Sequence, residues 1–566
     1  LRTALDDPAE ASRFIETEPR RGYRFVAPVE VELASPVQTE TPFPRNGNGR
    51  PTWLAKFAAA ALAVGIVLWL VAAPIFAPES VSTSSKRLAV LPFEELSVST
   101  SDEDRFADAL TDELVVRLTA LAPGRLGVVA HTSSTLKQPN EAALDFGRRL
   151  GVDYVVHGTV RKSDRDARVN VKLSATNTGE HLWARSLTVA LDESLFTHAR
   201  LSRSIVAGVR PLIADLDSTV VSSRGLDPSG LSSDDPRAAL AYDAYLRGRY
   251  HLNGLDEERI DNAIVSFREA LRHAPRFARA HLGLAQAHVR LAAFPPRAPT
   301  ARRAYREAKR AAEQALRLDP TLAEAHLQLA LATWFSEWSW AEAEASFERG
   351  LEVNPGIASL HHWYAYYLSA VGRHEESLTA VQRARELDPL SRAVTSDVGL
   401  FYYFARQPER AIVECRRTLE LEPEYTLTRH CLLEAYRALG DWNEAAEQAL
   451  VLMRDSGWSA LEDLQPTDVL DELDRHRAGA HWKGSPYLKA ISLARMGETE
   501  RAFEELDRAI SLRSPWVVVV DIDPSLAVLR TKPRYAHTLE QLNFPEAARA
   551  RNARVGAVGE QRTALH

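Results

Sequence analysis

Residues 316–355 read LRLDPTLAEAHLQLALATWFSEWSWAEAEASFERGLEVNP. The stretch opens and closes on one device, an amphipathic run ending in proline: LRLDP at 316–320 and LEVNP at 351–355. The device recurs as RELDP at 385–389 and LELEP at 419–423, so Pro320, Pro355, Pro389 and Pro423 stand 35, 34 and 34 residues apart. Pro275 closes an earlier LRHAP, and its 45-residue step to Pro320 predicts an insertion around Phe294-Pro295-Pro296-Arg297. Proline cannot continue a helix. At a fixed interval near 34 it predicts helical hairpins that bury their apolar faces only by stacking on one another.

Small and large residues alternate as such a stack requires. The unit ending at Pro355 has Ala330, Trp334, Ala343, Phe347 and Gly350; that ending at Pro275 has Ala263, Phe267 and Ala270; that ending at Pro423 has Gly399, Tyr402, Ala411 and Cys415. The register continues to Gly457 with Tyr436 and Ala445, and a further unit from Tyr487 to Pro515 has Ala502 and Ala509. About seven units result. The pattern resembles tetratricopeptide repeats and implies an all-α superhelix over 236–515, with Trp516 to Val520 opening a C-terminal cap and tail over 516–566. Such superhelices take a protein or peptide partner on their concave face. Trp334, Trp338, Trp340, Trp363 and Tyr367, with Tyr364 and Tyr366, form a dense aromatic patch. Part of it is repeat core and part is a candidate partner-binding surface. His361-His362 is too isolated to argue for a metal, and Cys415 sits at a core position, where a buried thiol is the default. A disulfide to Cys431 would need an oxidising compartment.

Upstream, residues 53–77 read WLAKFAAAALAVGIVLWLVAAPIFA, with no charge from Phe57 to Ala77. That run as a helix measures about 31 Å, enough for the hydrocarbon core of a bilayer. One transmembrane helix is therefore expected, with Lys56 and Trp53 at its interface.

Before it lies LRTALDDPAEASRFIETEPRRGYRFVAPVEV at 1–31, and a Pro-, Thr- and Asn-rich linker at 32–52. Phe14 to Thr17 and Tyr23 to Val26 read as two strands around a basic turn, Pro19-Arg20-Arg21-Gly22. Leu1-Arg2, Leu5-Asp6-Asp7, Phe14-Ile15-Glu16-Thr17 and Arg21-Gly22-Tyr23-Arg24-Phe25 together resemble the C-terminal part of the OmpR/PhoB-type winged-helix DNA-binding domain. The resemblance implies that Arg2 ends the recognition helix and that Thr17, Arg20, Arg21, Gly22, Tyr23 and Arg24 form a wing at the DNA. It also implies that most of the winged helix precedes Leu1, so that this chain carries a truncated remnant of it.

Residues 85–217 alternate strand and helix. Strands are expected at Lys86 to Phe93, Leu126 to Ala130, Tyr154 to Val160, Arg168 to Ser174 and His181 to Val189, and helices at Asp102 to Leu121, Asn140 to Leu150 and Asp192 to Ala214. A small α/β domain follows. Ala89-Val90-Leu91-Pro92-Phe93, Leu150-Gly151-Val152-Asp153-Tyr154, His157-Gly158-Thr159-Val160 and Gly179-Glu180-His181-Leu182-Trp183 resemble the TolB-N-terminal-like domain of several bacterial regulators and some adenylate cyclases. Asp108, Asp112 and Glu113 read as a solvated face near a helix N-terminus, and His157 as a packed strand residue.

The whole is a multidomain chain of 566 residues with net charge −7, which gives no general pull toward nucleic acid. Two cysteines exclude a disulfide framework and a Cys-rich zinc site. Phosphate-loop, HExxH and GxSxG motifs are absent, so no enzyme, cofactor or metal is expected. The order of segments resembles the CadC/ToxR type of membrane transcriptional regulator. That implies a single-pass inner-membrane protein with a cytoplasmic N-terminus and an extracytoplasmic C-terminal region. Its expected partners are promoter DNA through the complete winged helix, the membrane, a protein or peptide on the repeats, and a second copy in a homodimer. The alternative is a membrane-anchored repeat scaffold without DNA binding.

Overall fold

The computed structural model describes residues 15–18, 22–25, 86–96, 106–121, 126–129, 141–163, 166–190, 197–213, 236–254, 256–293, 298–455, 465–479 and 484–563. Residues 1–82 and 83–566 form two compact units. In the first, β1 (Ile15–Glu18) and β2 (Gly22–Phe25) pair antiparallel, Ile15 with Phe25, Glu16 with Arg24, Thr17 with Tyr23 and Glu18 with Gly22.

The second unit opens with an α/β domain. Its strands are β3 (Lys86–Val90), β4 (Glu94–Glu95), β5 (Leu126–Val128), β6 (Tyr154–Lys162), β7 (Asp166–Ala175) and β8 (His181–Ala190). They form one sheet in the order β5-β3-β6-β7-β8, with β4 also paired to β6. β3 runs parallel to β5 and β6, whereas β6, β7 and β8 are an antiparallel meander. Helices α1 (Phe106–Leu121) and α3 (Thr197–Ile213) cover one face, where Leu110, Leu114, Leu118, Ile205 and Val209 meet Val156, Val169 and Val171. On the other face α2 (Ala143–Leu150) packs Phe146 and Leu150 on Val152 and Val155. A Cβ on Gly158 would lie 2.1 Å from the Asn170 carbonyl oxygen, so the close approach of β6 and β7 there requires glycine.

Helical hairpins follow: α4 (Pro236–Leu252) with α5 (Glu257–His273), α6 (Ala278–Ala293) with α7 (Ala298–Leu318), α8 (Ala323–Glu337) with α9 (Trp340–Val353), and α10 (Ala358–Ala370) with α11 (His374–Leu387). Next come α12 (Arg392–Phe404) with α13 (Pro408–Leu421) and α14 (Thr426–Leu439) with α15 (Trp442–Asp455). A separate helix, α16 (Pro466–Ala478), precedes the last hairpin, α17 (Pro486–Arg495) with α18 (Thr499–Ser511). Short turns at Pro515–Val519 and Pro524–Leu526 lead to α19 (Ala527–Arg530), α20 (Pro533–Gln541) and α21 (Glu546–Thr563). This is a tetratricopeptide-type superhelix, and each proline that set its period caps the end of a hairpin. At Pro275, Pro355 and Pro423 the side chain six positions later returns to the proline carbonyl: His281 Nε2 donates to Pro275 O at 3.0 Å, His361 Nε2 to Pro355 O at 2.9 Å and Arg429 Nη2 to Pro423 O at 2.6 Å. Orphan carbonyls at the turn are thereby satisfied.

Among the described residues no helix is long and apolar enough to cross a membrane. The longest, α7, has 21 residues, but Arg302, Arg303, Arg306, Glu307, Lys309, Arg310, Glu313 and Arg317 lie along it. Its length is matched to alanines packed against neighbouring helices, not to lipid. This corrects the expected fold class, which included one transmembrane helix, and the expected location in the inner membrane with the membrane as partner. The stretch 53–77 that carried both expectations lies outside the described residues.

Candidate functional site

The first helices of three successive hairpins, α12, α14 and α17, converge with the C-terminal turns on a pocket of ≈ 100 Å³. Asp397, Tyr403, His430, Glu434, Asp523 and Ser525 line it, with Leu427, Ile491 and Trp516 as its apolar walls. Helical spacing puts His430 and Glu434 one turn apart on the same face of α14. Behind them sits a buried ionic network. Glu434 pairs with Arg495, Arg437 Nη1 with Asp474 Oδ2 at 3.0 Å, and Arg477 Nη2 lies 2.9 Å from His430 Nδ1. Burial alone would raise the Glu434 pKa, but Arg495 and Arg437 outweigh it and hold the carboxyl down at about 2. Burial, reinforced by Arg477, drives His430 down to about 3 and keeps it neutral. With Arg477 donating to its Nδ1, the remaining proton of His430 sits on Nε2.

The C-terminal turns close the pocket from the opposite side. Tyr403 Oη and Ser525 Oγ are 2.8 Å apart, Ser525 Oγ donates to Glu434 Oε2 at 3.0 Å, and Tyr487 Oη donates to Asp523 Oδ2 at 2.9 Å. Burial raises the Asp523 carboxyl above its ordinary value. On the adjoining hairpin, His362 Nε2 and Asp397 Oδ2 are 2.7 Å apart. The remaining volume admits a few waters at about 30 Å³ each, or one short polar group. Fixed acceptors in a dry wall suit recognition of a donor such as an amide or ammonium.

The aromatic patch expected to face a partner is largely spent on the chain's own packing. Trp334, Trp338, Trp340 and Tyr367 are all buried, and Trp363 is half-buried against Phe335 and Tyr366. The Trp340 ring packs at a tilt of 54° against Phe544 of the C-terminal segment, with centroids 4.7 Å apart. The periodic pattern could not reveal this, because Phe544 lies outside the repeats. Of the residues expected at DNA, Thr17, Gly22, Tyr23 and Arg24 are strand residues of the β1/β2 pair, with Gly22 opposite Glu18; Arg2, Arg20 and Arg21 lie outside the described residues.

Sequence reasoning placed Asp112 and Glu113 on a solvated face; the structure buries Glu113 at the joint with the repeats. Its carboxylate is 2.6 Å from Arg117 Nε and 3.7 Å from Arg279 Nη1 of α6, and Asp112 is 3.7 Å from Arg249 of α4. Thr119 O accepts from Asn354 Nδ2 at 3.4 Å, and Glu386 O from Arg87 Nη1 at 2.9 Å. The missed signal was the pair of arginines on the first helices of hairpins one and two. On the open face of the sheet a second cleft of ≈ 720 Å³ is lined by Glu94, Glu141, His157, Thr159, Lys172 and Arg185. His157 Nε2 bonds Ser174 Oγ at 3.1 Å, which in turn bonds His181 Nδ1 at 2.8 Å. Among the described residues no group of three or more His, Cys, Asp or Glu side chains is placed to hold a metal ion, and Cys415 and Cys431 are both free buried thiols.

Residues 84–206, the α/β domain, match a family model described as HilA/YgeH-like transcriptional regulator, second domain. Putative adenylate cyclase 3 of Rhizobium meliloti (strain 1021) is 28% identical over 205 residues, 36% of this chain and 32% of that protein. The chain thus spans about a third of the length of this curated relative. The expectation that no enzyme is involved is corrected by that relative, whose name is that of a cyclase. Among solved structures, a human IFIT1 dimer is 17% identical with a TM-score of 0.33, covering 57% of this chain and 72% of that one. Pseudomonas aeruginosa pilF is 16% identical with a TM-score of 0.28, covering 41% and 90%, and YrrB, a TPR protein, is 20% identical with a TM-score of 0.24, covering 33% and 91%. The chain joins a domain similar to the second domain of a transcriptional-regulator family, at 84–206, to the stacked helical hairpins described above.

Proposed function

We propose that the chain is a transcriptional regulator whose repeats dock a protein partner and whose β1/β2 hairpin contacts promoter DNA. The observation that carries the reading is the regulator-type domain at 84–206, locked to the repeats by the buried contact of Glu113 with Arg279. A partner seated on the superhelix then acts on one body with the α/β domain. At the DNA, Arg20, Arg21 and Arg24 would meet phosphates while Arg2, Thr17, Gly22 and Tyr23 shape the approach. A homodimer would place two hairpins on one operator.

The test is capture of genomic DNA fragments by the full chain, followed by binding to the enriched fragment across a salt series. Replacing Arg20, Arg21 and Arg24 by alanine should flatten the dependence on log salt by about one unit per arginine lost. Fragments captured without sequence preference would refute the reading. A second reading, favoured by the curated relative, is that the α/β and repeat segment governs nucleotide-cyclase chemistry. Formation of cyclic AMP from ATP by the full chain would select it.

A further inference from the structure

The insertion read between Pro275 and Pro320 lengthens α7 to 21 residues, against 14 in each of α9, α11, α13 and α15. The buried side of α7 is alanine and tyrosine: Ala301, Ala304, Ala308, Ala312 and Tyr305, whose ring is 5.6 Å from Phe335. Its outer side is arginine. At about 100° per residue, Arg302, Arg303, Arg306, Arg310 and Arg317 fall within an arc of roughly 100°, with Glu313 as the single carboxylate inside it. All five are exposed. Arg310 is paired with Glu307 at 3.1 Å and Arg317 with Gln314, but Arg302, Arg303 and Arg306 have no ion pair or hydrogen bond among the described residues.

A fourth cation joins them from the C-terminal segment. Arg513 holds its guanidinium carbon 4.7 Å over the Trp338 ring, from a backbone φ of 56° that an L-residue seldom adopts. Its Nε and Nη1 are buried and without a hydrogen-bond partner. Burial, aided by the neighbouring Arg302 charge, lowers its pKa to about 10, so it stays protonated at neutral pH.

We propose that the arginine face of α7, with Arg513 beside it, is a docking surface for a carboxylate-rich segment of a partner protein. Four unneutralised guanidinium groups repel one another; Arg302, Arg303 and Arg306 offer exposed forked donors that match carboxylates, and Arg513 adds its positive charge beside them. The width of the face decides the class of occupant. Glu258 and Asp261 stand exposed with Arg268 and Arg272 on α5, and Glu342, Glu348 and Glu352 with Arg349 on α9, so the neighbouring helices carry mixed charge and the excess of arginine is confined to α7. On the α9 side, Lys309 is already taken by Glu337 at 2.8 Å. A DNA duplex presents phosphates across a much broader front and would meet these carboxylates, whereas a single acidic helix or strand would not.

The test uses the full chain and a fluorescein-labelled glutamate-rich peptide, read by anisotropy. Wild type should bind, and added salt should weaken the complex. The variant R302E/R303E/R306E should bind about ten-fold more weakly or worse, the loss expected for three exposed ion pairs. Arg349→Glu, an exposed position on α9, should bind as wild type. All these positions are exposed, so unchanged far-ultraviolet circular dichroism accompanies each variant. Equal binding by the triple variant, no binding by wild type, or displacement of the peptide by a duplex at lower concentration than by unlabelled peptide overturns the proposal. Self-association of wild type that the triple variant loses also overturns it, in favour of a second copy. Loss of DNA binding on replacing Arg24 would leave the peptide result untouched, so this proposal and the promoter reading fail separately.

Discussion

The indole Nε1 of Trp340 donates to the carbonyl oxygen of Leu542 at 2.9 Å, tying the third hairpin to the C-terminal segment across 202 positions of sequence. Asn543 Nδ2 donates to Glu337 O at 3.4 Å, and Asn552 Nδ2 to Ala370 O at 3.3 Å and to Asp521 Oδ2 at 2.8 Å. The superhelix is thus closed by its own C-terminus. Trp340→Phe keeps an aromatic ring against Phe544 and removes the donor, leaving a buried carbonyl unsatisfied. A loss of about 1–3 kcal/mol is expected. The urea midpoint should fall, and protease cutting after Arg513 should accelerate; an unchanged cutting rate would show that the tie does not hold the segment.

That closure marks the boundary of what the sequence discloses. A 34-residue period records which residues meet inside a repeat and between neighbours. Ala330, Trp334, Ala343 and Phe347 accordingly lie in the core. A contact such as Trp340 with Phe544 leaves no periodic trace, so Trp340, which looked available for a partner, proves to be packed. Glu113 was misjudged for the same reason: its partner Arg279 lies in another domain. The link of a proline carbonyl to the side chain six places on, at His281, His361 and Arg429, likewise emerges only from the structure, because a polar hydrogen bond adds nothing to an apolar period.

Glu434→Gln should expose how much the pocket depends on its central charge. The carboxylate is paired with Arg495 and accepts from Ser525, and both side chains of the ion pair are mostly buried. The amide has the same volume but leaves the buried Arg495 charge beside Arg437 and Arg477 with only Asp474, at 3.6 Å, to offset it. Removing one partner of a buried pair costs about 3–5 kcal/mol, so an early, broadened thermal transition is expected. Retained stability would mean that solvent already screens Arg495.

Acid should destabilise the repeats through buried histidines at a pH above that at which the paired carboxylate Glu434 titrates. Burial, with Arg268 as the next cause, lowers His288 to about 4; burial, with Arg406, lowers His374 to about 4; His430 stands at about 3. An unfolded imidazole titrates near 6.5. The folded state therefore binds fewer protons between about pH 6.5 and 4. Stability is complete above the unfolded value and falls as pH drops through this window, by up to about 1.4 kcal/mol per pH unit for each imidazole. Urea midpoints from pH 7.5 to 3.5 measure the slope, and His288→Asn should flatten it. A slope that begins only below pH 4.5 would assign the effect to carboxylates such as Glu434.

Gly283→Ala tests the packing rule that made the repeats readable. A Cβ at Gly283 would stand 2.4 Å from Phe267 Cε1, and one at Gly248 2.6 Å from the same atom. The Phe267 ring is fully buried and wedged between these two first helices, with Tyr245 at 6.0 Å. Helix propensity alone favours alanine by about 1 kcal/mol. The ring, however, has no free direction in which to yield, and overpacking typically costs 1–3 kcal/mol. The clash should win, and Gly283→Ala should lower the melting temperature. In a Phe267→Leu background the same change should become neutral or stabilising, because the clash is gone and only the propensity gain remains. The coupling read from this double-mutant cycle separates contact from propensity. Additive effects would mean that Phe267 leaves its wedge at no cost, and that the small residues at these positions do not set the helix spacing.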